Sequence, residues 1–175
     1  MRLTRFACAA VMTAGLPVLA MAVDGDKVLG DFQGEGINGT VEMVETASGI
    51  VVVDVRAEGL SEGQHGFHVH EVGACDSADG FKSAKGHLAR GLEHGVMSAG
   101  GPHPGDMPNL HVRSDGVADA EFFVRGFTLG TEGNQRILDE DGSAVIIHSG
   151  ADDYGTQPSG DSGERVACAV LETGG

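Results

Sequence analysis

Two histidines separated by one residue are the first feature of this chain that could do chemistry. His68 and His70 alternate with Phe67 and Val69 in the segment 66–71. On a β-strand, alternate side chains leave the same face and are spaced about 7 Å apart along the backbone. Two imidazoles on one face can bracket a metal ion, and imidazole suits copper, zinc, iron and nickel. The alternative is a histidine pair on a solvated strand face.

A second set of ligand-type side chains lies in a glycine-rich stretch between positions 71 and 112, which has no regular hydrophobic pattern. A loop this long in a compact domain is typically functional. Bound metal can replace the apolar core that such a loop lacks. Three imidazoles and one carboxylate form a four-ligand set suited to tetrahedral, structural zinc. The set consists of His87, His94, His103 and Asp106. Taken alone, each of the first two would be read as a surface residue.

Residues 1–22 are predicted to be a secretory signal peptide, and residues 23–175 form one domain without an internal linker. Arg2 and Arg5 precede an apolar run of small residues that ends in an Ala-x-Ala pattern at Ala22. The alternative is a buried N-terminal helix, which the acidic segment 24–26 disfavours. We therefore expect a periplasmic or secreted protein with no membrane contact in its mature form, since no later apolar run could span a bilayer.

Removal of the signal peptide would leave two of the three cysteines, Cys75 and Cys168. Two cysteines in an oxidising compartment are expected to form a disulfide bond. The alternative is a pair of free, buried thiols.

The composition excludes some partners and favours one fold class. The chain has 26 acidic and 11 basic residues and a net charge of -15, which argues against nucleic acid and anionic membranes as partners. It also has 29 glycines, only 5% aromatic residues and no tryptophan. Such a composition is typical of many tight turns and favours an all-β fold over a helical bundle.

Short alternating or β-branched segments recur along the chain and predict strands that position the histidines. They lie at 39–44, 50–55, around His68, and at 116–124, 143–148 and 165–171, with shorter candidates at 128–129 and 136–138. A hairpin turn is predicted at Ser48-Gly49. This spacing is typical of a β-sandwich or barrel. A second polar loop is expected at 149–164.

Several motifs together resemble the copper/zinc superoxide dismutase family. They are GFHVHE at 66–71, GPHPGDMPNL at 101–110, DGVAD at 115–119 and GERVACAV at 163–170. The signal peptide and the segment GFKSA at 80–84 are most similar to the secreted bacterial branch. The resemblance covers nearly all of the mature chain. It implies an eight-stranded Greek-key β-barrel, similar to an immunoglobulin sandwich, with two long loops, and disproportionation of superoxide to dioxygen and hydrogen peroxide.

The resemblance implies two metal sites that share one histidine. The copper ligands would be His68, His70, His87 and His148. The zinc ligands would be His87, His94, His103 and Asp106. The imidazolate of His87 would bridge a redox-cycling copper to a structural zinc, with one of each metal per subunit, and would act as the proton donor.

The resemblance also implies roles for residues that bind no metal. Arg165 would attract and orient superoxide beside the copper, and Asp152 would link His68 with His94. Cys75 and Cys168 would form the disulfide bond that ties the metal loop to the last strand. His65 and His111 match no ligand position and are interpreted as structural or surface residues.

An anionic substrate requires a locally positive approach on a protein this acidic. Lys82 and Lys85 are candidates to help Arg165, because a cleft lined with positive charge focuses the local field. The alternative is that both lysines are ordinary solvated residues. The chain departs from the family in two ways: residues 88–90 read Leu-Ala-Arg instead of Phe-Asn-Pro, and the loop 149–164 contains no lysine or arginine.

Two other functions are compatible with parts of this pattern. One is a periplasmic copper or zinc carrier on the same barrel, and the other is a structural barrel with a decayed site. All seven ligand positions and Arg165 are present, which favours the enzyme. The family contains both monomers and homodimers, and the sequence leaves the oligomeric state open.

Overall fold

Ten β-strands make up most of the regular structure in residues 26–130 and 135–174, the parts of the chain described by the computed structural model. The strands are β1 (Lys27–Gly34), β2 (Ile37–Glu45), β3 (Val51–Glu58), β4 (Gly63–His65), β5 (Phe67–His70), β6 (Leu110–Val112), β7 (Val117–Val124), β8 (Ala144–His148), β9 (Arg165–Val170) and β10 (Glu172–Thr173). Two single 3-10 turns, Ser77–Asp79 and Lys82–Ala84, lie between β5 and β6. The predicted signal peptide lies outside the described residues.

The strands form one curled antiparallel sheet with the order β5-β8-β9-β1-β2-β3-β7, and β10 adds to β1. A two-stranded pair, β4-β6, links the two edges of this sheet. Gly66 alone separates β4 from β5, and a short turn joins β6 to β7, where the Arg113 amide donates to the Val117 carbonyl at 3.0 Å. The predicted all-β, barrel-like class is confirmed, with long loops at 71–109 (the first loop) and 149–164 (the second loop).

Alternating side chains build the core. In β3, Val51, Val53 and Val55 are buried, whereas Asp54 and Arg56 are exposed. The turn before β3 is the predicted one, and Gly49 has the positive φ of 71° that glycine adopts at no steric cost. One face of β3 therefore faces the common core and the other faces solvent.

Strands β5 and β8 differ because they are buried on both faces. Phe67 and Val69 belong to the main core, together with Val145 and Ile147 of β8. The opposite face of β5 carries His68 and His70, and the two loops cover that face.

The short strand candidates at 128–129 and 136–138 are wrong. Only an isolated bridge joins Thr128 to Arg136. Leu129 and Ile137 are instead buried in the main core. Their apolar character reflects the anchoring of a loop and not a strand.

A disulfide bond joins Cys75 to Cys168 with a Cα–Cα distance of 5.7 Å, as predicted. It ties the first loop to β9. Among the described residues, no helix is long and apolar enough to cross a bilayer.

Candidate metal centre

The seven predicted ligands form two groups that share His87. Within each group, the possible ligand atoms all lie within 4.8 Å of one another. The first group contains His68, His70, His87 and His148. The second group contains His87, His94, His103 and Asp106. Every histidine in both groups is buried.

The edge position of β5 explains how the first loop reaches the histidine strand. β5 pairs with β8 on one side, and its other edge accepts loop segments in place of a further strand. The Val69 amide donates to the Gly105 carbonyl at 2.9 Å, and the Leu88 amide donates to the Val69 carbonyl at 2.8 Å. A Cβ at position 105 would lie only 2.4 Å from the Val69 carbonyl oxygen, which is too close for any side chain. Gly105 is therefore required there. His87 and Asp106 are therefore placed directly beside β5.

In the first group, each histidine has one ring nitrogen engaged in a polar contact. His68 Nε2 lies 2.7 Å from Asp152 Oδ2, and His70 Nδ1 donates to the Lys85 carbonyl at 3.0 Å. His87 Nδ1 lies 3.1 Å from Asp106 Oδ1, and His148 Nδ1 lies 3.3 Å from the Gly163 carbonyl. These contacts fix the ring orientations.

The other ring nitrogen of each histidine is buried and has no hydrogen-bond partner within the described part of the chain. These atoms are His68 Nδ1, His70 Nε2, His87 Nε2 and His148 Nε2. Buried polar atoms are normally paired. Four unpaired imidazole nitrogens that converge, each with its other nitrogen held by an oxygen, form the donor set expected for a metal ion such as copper.

The second group surrounds one carboxylate oxygen. Asp106 Oδ1 lies 3.1, 3.0 and 3.3 Å from the Nδ1 atoms of His87, His94 and His103. Ligands at the corners of a tetrahedron with bonds of about 2.0 Å are separated by about 3.3 Å, so these spacings fit zinc. Asp106 Oδ2 accepts from the Gly95 and His103 amides, which fixes the carboxylate.

Asp152 of the second loop joins the two groups. Its Oδ2 lies 2.7 Å from His68 Nε2, and its Oδ1 lies 3.0 Å from His94 Nε2. A Cβ at Gly160 would lie 1.8 Å from Asp152 Oδ1, so a larger residue there would displace the carboxylate. Asn109 exchanges two hydrogen bonds with the Asp152 backbone, a role that no motif in the sequence signals.

Burial keeps three histidines of the first group, His68, His70 and His148, neutral in the absence of a metal. It lowers the pKa of His68 to about 4 and that of His148 to about 3. It also lowers the pKa of His70. Burial would raise the pKa of Asp152, but hydrogen bonds from His68 and His94 outweigh it and lower that pKa to about 2. Neutral imidazoles and ionised carboxylates are the forms that bind metal.

Arg165 lies at the start of β9, opposite His148, where a β-bulge interrupts the pairing. Its guanidinium donates to the Phe81 carbonyl at 2.6 Å and to the Lys85 carbonyl at 2.5 Å. Its positive charge also lowers the pKa of His70 and His148, behind the larger effect of burial. Arg165 borders a groove of about 730 Å³, which is lined in part by Gln33, Glu35, Ser77 and Phe81.

The remaining predicted residues fall outside the two groups. Lys82 and Lys85 are exposed beside the Arg165 contacts. His111 is exposed, whereas His65 is buried, with Nδ1 2.6 Å from the His148 carbonyl and Nε2 2.9 Å from the Ser61 carbonyl. His65 is thus a structural residue, one of the two predicted alternatives, and the sequence did not reveal that it holds the backbone of His148.

Comparison with known proteins agrees with this geometry. The copper/zinc superoxide dismutase (SODC) family model matches residues 37–171. The chain is 39% identical over 142 residues to the copper-zinc superoxide dismutase 1 of Aquifex aeolicus, covering 80% of this chain and 82% of the relative. It is 39% identical over 137 residues to the copper-zinc superoxide dismutase of Caulobacter vibrioides, covering 77% and 78%.

A solved structure shows the same fold. The crystal structure of a SOD-like protein from Bacillus subtilis superimposes with a TM-score of 0.77 at 38% sequence identity, covering 82% of this chain and 97% of that chain. The match of the family model extends from β2 through β9 and includes both loops. The chain therefore belongs to the copper/zinc superoxide dismutase family.

Proposed function

We propose that the mature chain is a superoxide dismutase that converts superoxide to dioxygen and hydrogen peroxide, with one copper and one zinc per chain. The observation that carries the proposal is the convergence of four buried imidazole nitrogens that lack hydrogen-bond partners among the described residues. Family membership and the adjoining Arg165 support the same function.

Copper would be held by His68 Nδ1 and by the Nε2 atoms of His70, His87 and His148. Bound copper supplies a one-electron centre that can accept and return an electron, which zinc cannot do. The residues around it orient the imidazoles through Asp152 and the Lys85 carbonyl and exclude water by burial.

Zinc would be held by His94, His103, Asp106 and the Nδ1 atom of His87. With its Nδ1 bound there, the ring of His87 points Nε2 at the first group. That nitrogen can hold a proton whenever it is not a metal ligand. It can then give the proton to a substrate molecule that has gained an electron beside the first group. Its immobilisation by Asp106 and its burial suit this role.

Arg165 would bind and orient the superoxide anion. Its guanidinium is held by two main-chain carbonyls and stays charged at any relevant pH.

The protein is further proposed to act after export, in the periplasm or outside the cell. The disulfide bond between Cys75 and Cys168 suits an oxidising compartment. The prediction for the mature chain is cleavage near Ala22 and a single domain of residues 23–175. This domain would act as a monomer or a homodimer.

The decisive experiment loads the purified mature protein with copper and zinc, measures the metal content, and follows superoxide decay. We expect one equivalent of each metal and a large acceleration of superoxide decay. His87→Ala should lose the full metal content and the acceleration. Binding of both metals one-to-one without acceleration would contradict the enzyme and support a periplasmic carrier of copper or zinc.

A further inference from the structure

Tyr154 is the only tyrosine in the chain, and it lies two residues after Asp152 in the second loop. Its φ of 64° places the backbone in the left-handed region, which residues other than glycine rarely adopt. The Tyr154 amide donates to Asp152 Oδ1 at 2.6 Å, and the Tyr154 carbonyl accepts from the Met97 amide at 3.0 Å. The backbone of residue 154 is therefore tied both to the carboxylate that joins the two ligand groups and to the first loop.

The side chain of Tyr154 makes a second link to the first loop. Its hydroxyl oxygen accepts from the Asn109 amide at 2.9 Å. The side chain of the same asparagine donates to the Asp152 carbonyl at 2.9 Å and accepts from the Asp152 amide at 2.8 Å. Asn109 directly precedes β6, so these contacts connect the second loop to a strand.

The Tyr154 amide and His94 share one oxygen of the Asp152 carboxylate. That oxygen, Oδ1, lies 3.0 Å from His94 Nε2, and Oδ2 lies 2.7 Å from His68 Nε2. A shift of the Tyr154 backbone would therefore move a carboxylate that orients one histidine of each ligand group.

The aromatic ring of Tyr154 borders an apolar cavity of about 190 Å³, together with Val96, Met107 and Pro108. Phenylalanine at this position would keep the ring and remove only the hydroxyl. The hydrogen bond from the Asn109 amide can therefore be tested without removing the ring from the cavity wall.

We propose that the Tyr154 hydroxyl positions the Asp152 carboxylate by anchoring the second loop to Asn109, and that it thereby strengthens the binding of both metals. The inference rests on the proposed function, in which His68 binds copper and His94 binds zinc. Tyr154 is a positioning residue, because it acts through Asp152. Since coupling between two sites is reciprocal, metal binding should in turn change the surroundings of the tyrosine.

The first test measures the copper and zinc affinities of the mature, disulfide-bonded protein by chelator competition. Tyr154→Phe is expected to weaken each affinity by about 3- to 10-fold, because a partner that orients ligands contributes to metal affinity. Val96→Ala is the matched control, since it alters the wall of the same cavity and removes only apolar atoms. Its affinities should equal those of the unaltered protein. Unchanged affinities in Tyr154→Phe would overturn the proposal.

A double variant separates positioning from a general stabilisation of the second loop. In a protein that already carries Asp152→Asn, Tyr154→Phe should not weaken either affinity further, because the carboxylate that the hydroxyl positions is absent. An equally large effect of Tyr154→Phe in both backgrounds would contradict the positioning role.

The fluorescence of Tyr154 gives a measurement that needs no substitution at residue 154. The chain has one tyrosine and no tryptophan, so tyrosine emission reports on this residue alone. Titration of the metal-free protein with zinc should change the emission in step with the zinc bound, and Asp152→Asn should abolish the change. Emission that is insensitive to bound zinc would rule out the coupling.

The failure of this inference is distinguishable from the failure of the proposed function. A protein that binds both metals and shows the dependence on Tyr154, but does not accelerate superoxide decay, would overturn the dismutase and support the positioning role. A protein that accelerates decay while both affinities are independent of the hydroxyl would do the reverse.

Discussion

Strands β3 and β5 have the same alternating backbone but use their outer faces differently. The outer side chains of β3 include Asp54 and Arg56, which are exposed to solvent. The outer side chains of β5 are His68 and His70, which are both 0% exposed. Polar groups on a covered strand face must find partners. The stability of the part of the molecule around β5, the β5 half, therefore depends on hydrogen bonds and ligands. The part around β3, the β3 half, depends on apolar packing.

The loops that cover β5 contain little apolar material of their own. They are held by the edge of β5, by the carboxylates of Asp106 and Asp152, and by the bond between Cys75 and Cys168. The small cluster that includes Phe81, Ala84 and Ile146 adds some packing. Changes in the covered half should therefore affect metal binding and activity, and changes in the β3 half should affect stability alone.

The largest expected effect comes from His87→Ala, which removes the residue shared by both groups. Superoxide decay by the metal-loaded protein should slow by at least ~100-fold, because one change removes a donor from each group. Metal content and decay rate are measured together. Near-normal activity with two bound metals would show that the two groups work independently.

The next effect comes from the double variant Cys75→Ser, Cys168→Ser. Loss of the bond should lower the free energy of unfolding by about 2 to 5 kcal/mol. Urea unfolding gives this value, and a competing chelator gives the zinc affinity. If the zinc affinity stays the same while stability falls, the bond stabilises the barrel without organising the first loop.

The metal-free protein should lose stability as the pH falls from about 6.5. The folded-state pKa values of His68 and His148 are lowered to about 4 and about 3, so the unfolded chain binds protons that the folded chain does not. Their contribution is complete above pH 6.5 and decreases by about 1.4 kcal/mol per pH unit for each histidine as the pH drops toward those values. Urea midpoints between pH 7 and pH 4 measure it, and a flat profile would contradict it.

A matched pair of substitutions separates the two halves. Asp152→Asn should weaken metal binding by about 10- to 100-fold, because the amide cannot accept hydrogen bonds from both His68 and His94. Val53→Ala should leave metal affinity unchanged and lower the free energy of unfolding by about 2 kcal/mol through a cavity in the core. Chelator competition and urea unfolding of both variants test the contrast, which fails if Val53→Ala also releases metal.

The smallest effect is expected on the outer face of β3. Arg56 contacts Glu58 at 2.8 Å and Asp119 at 3.4 Å, but its side chain is 57% exposed. Exposed ion pairs contribute little to stability, so Arg56→Gln should leave both the melting temperature and the activity nearly unchanged. A larger loss in thermal unfolding would mean that the β3 face also depends on polar contacts.

Local patterns predicted the strands because the alternation of apolar and polar residues along the chain directly predicts alternating burial. Val51, Val53 and Val55 alternate with polar residues after Val52, and the turn glycine Gly49 precedes them. The same reasoning failed at Thr128 and Ile137, where apolar residues anchor a loop in the core. A short apolar segment does not reveal whether its backbone pairs with a neighbour, because pairing depends on distant parts of the chain.

The sequence by itself determined the residue types in the two ligand groups, the strand that carries His68 and His70, and the expectation that Cys75 pairs with Cys168. These follow from ligand chemistry and from the two-residue period of a strand, which are local properties. Only the tertiary structure decided that one ring nitrogen of each histidine in the first group is unpaired among the described residues while the other is held, and that Asn109 and His65 support the site. Those features arise from contacts between residues far apart in the chain, which no local pattern records.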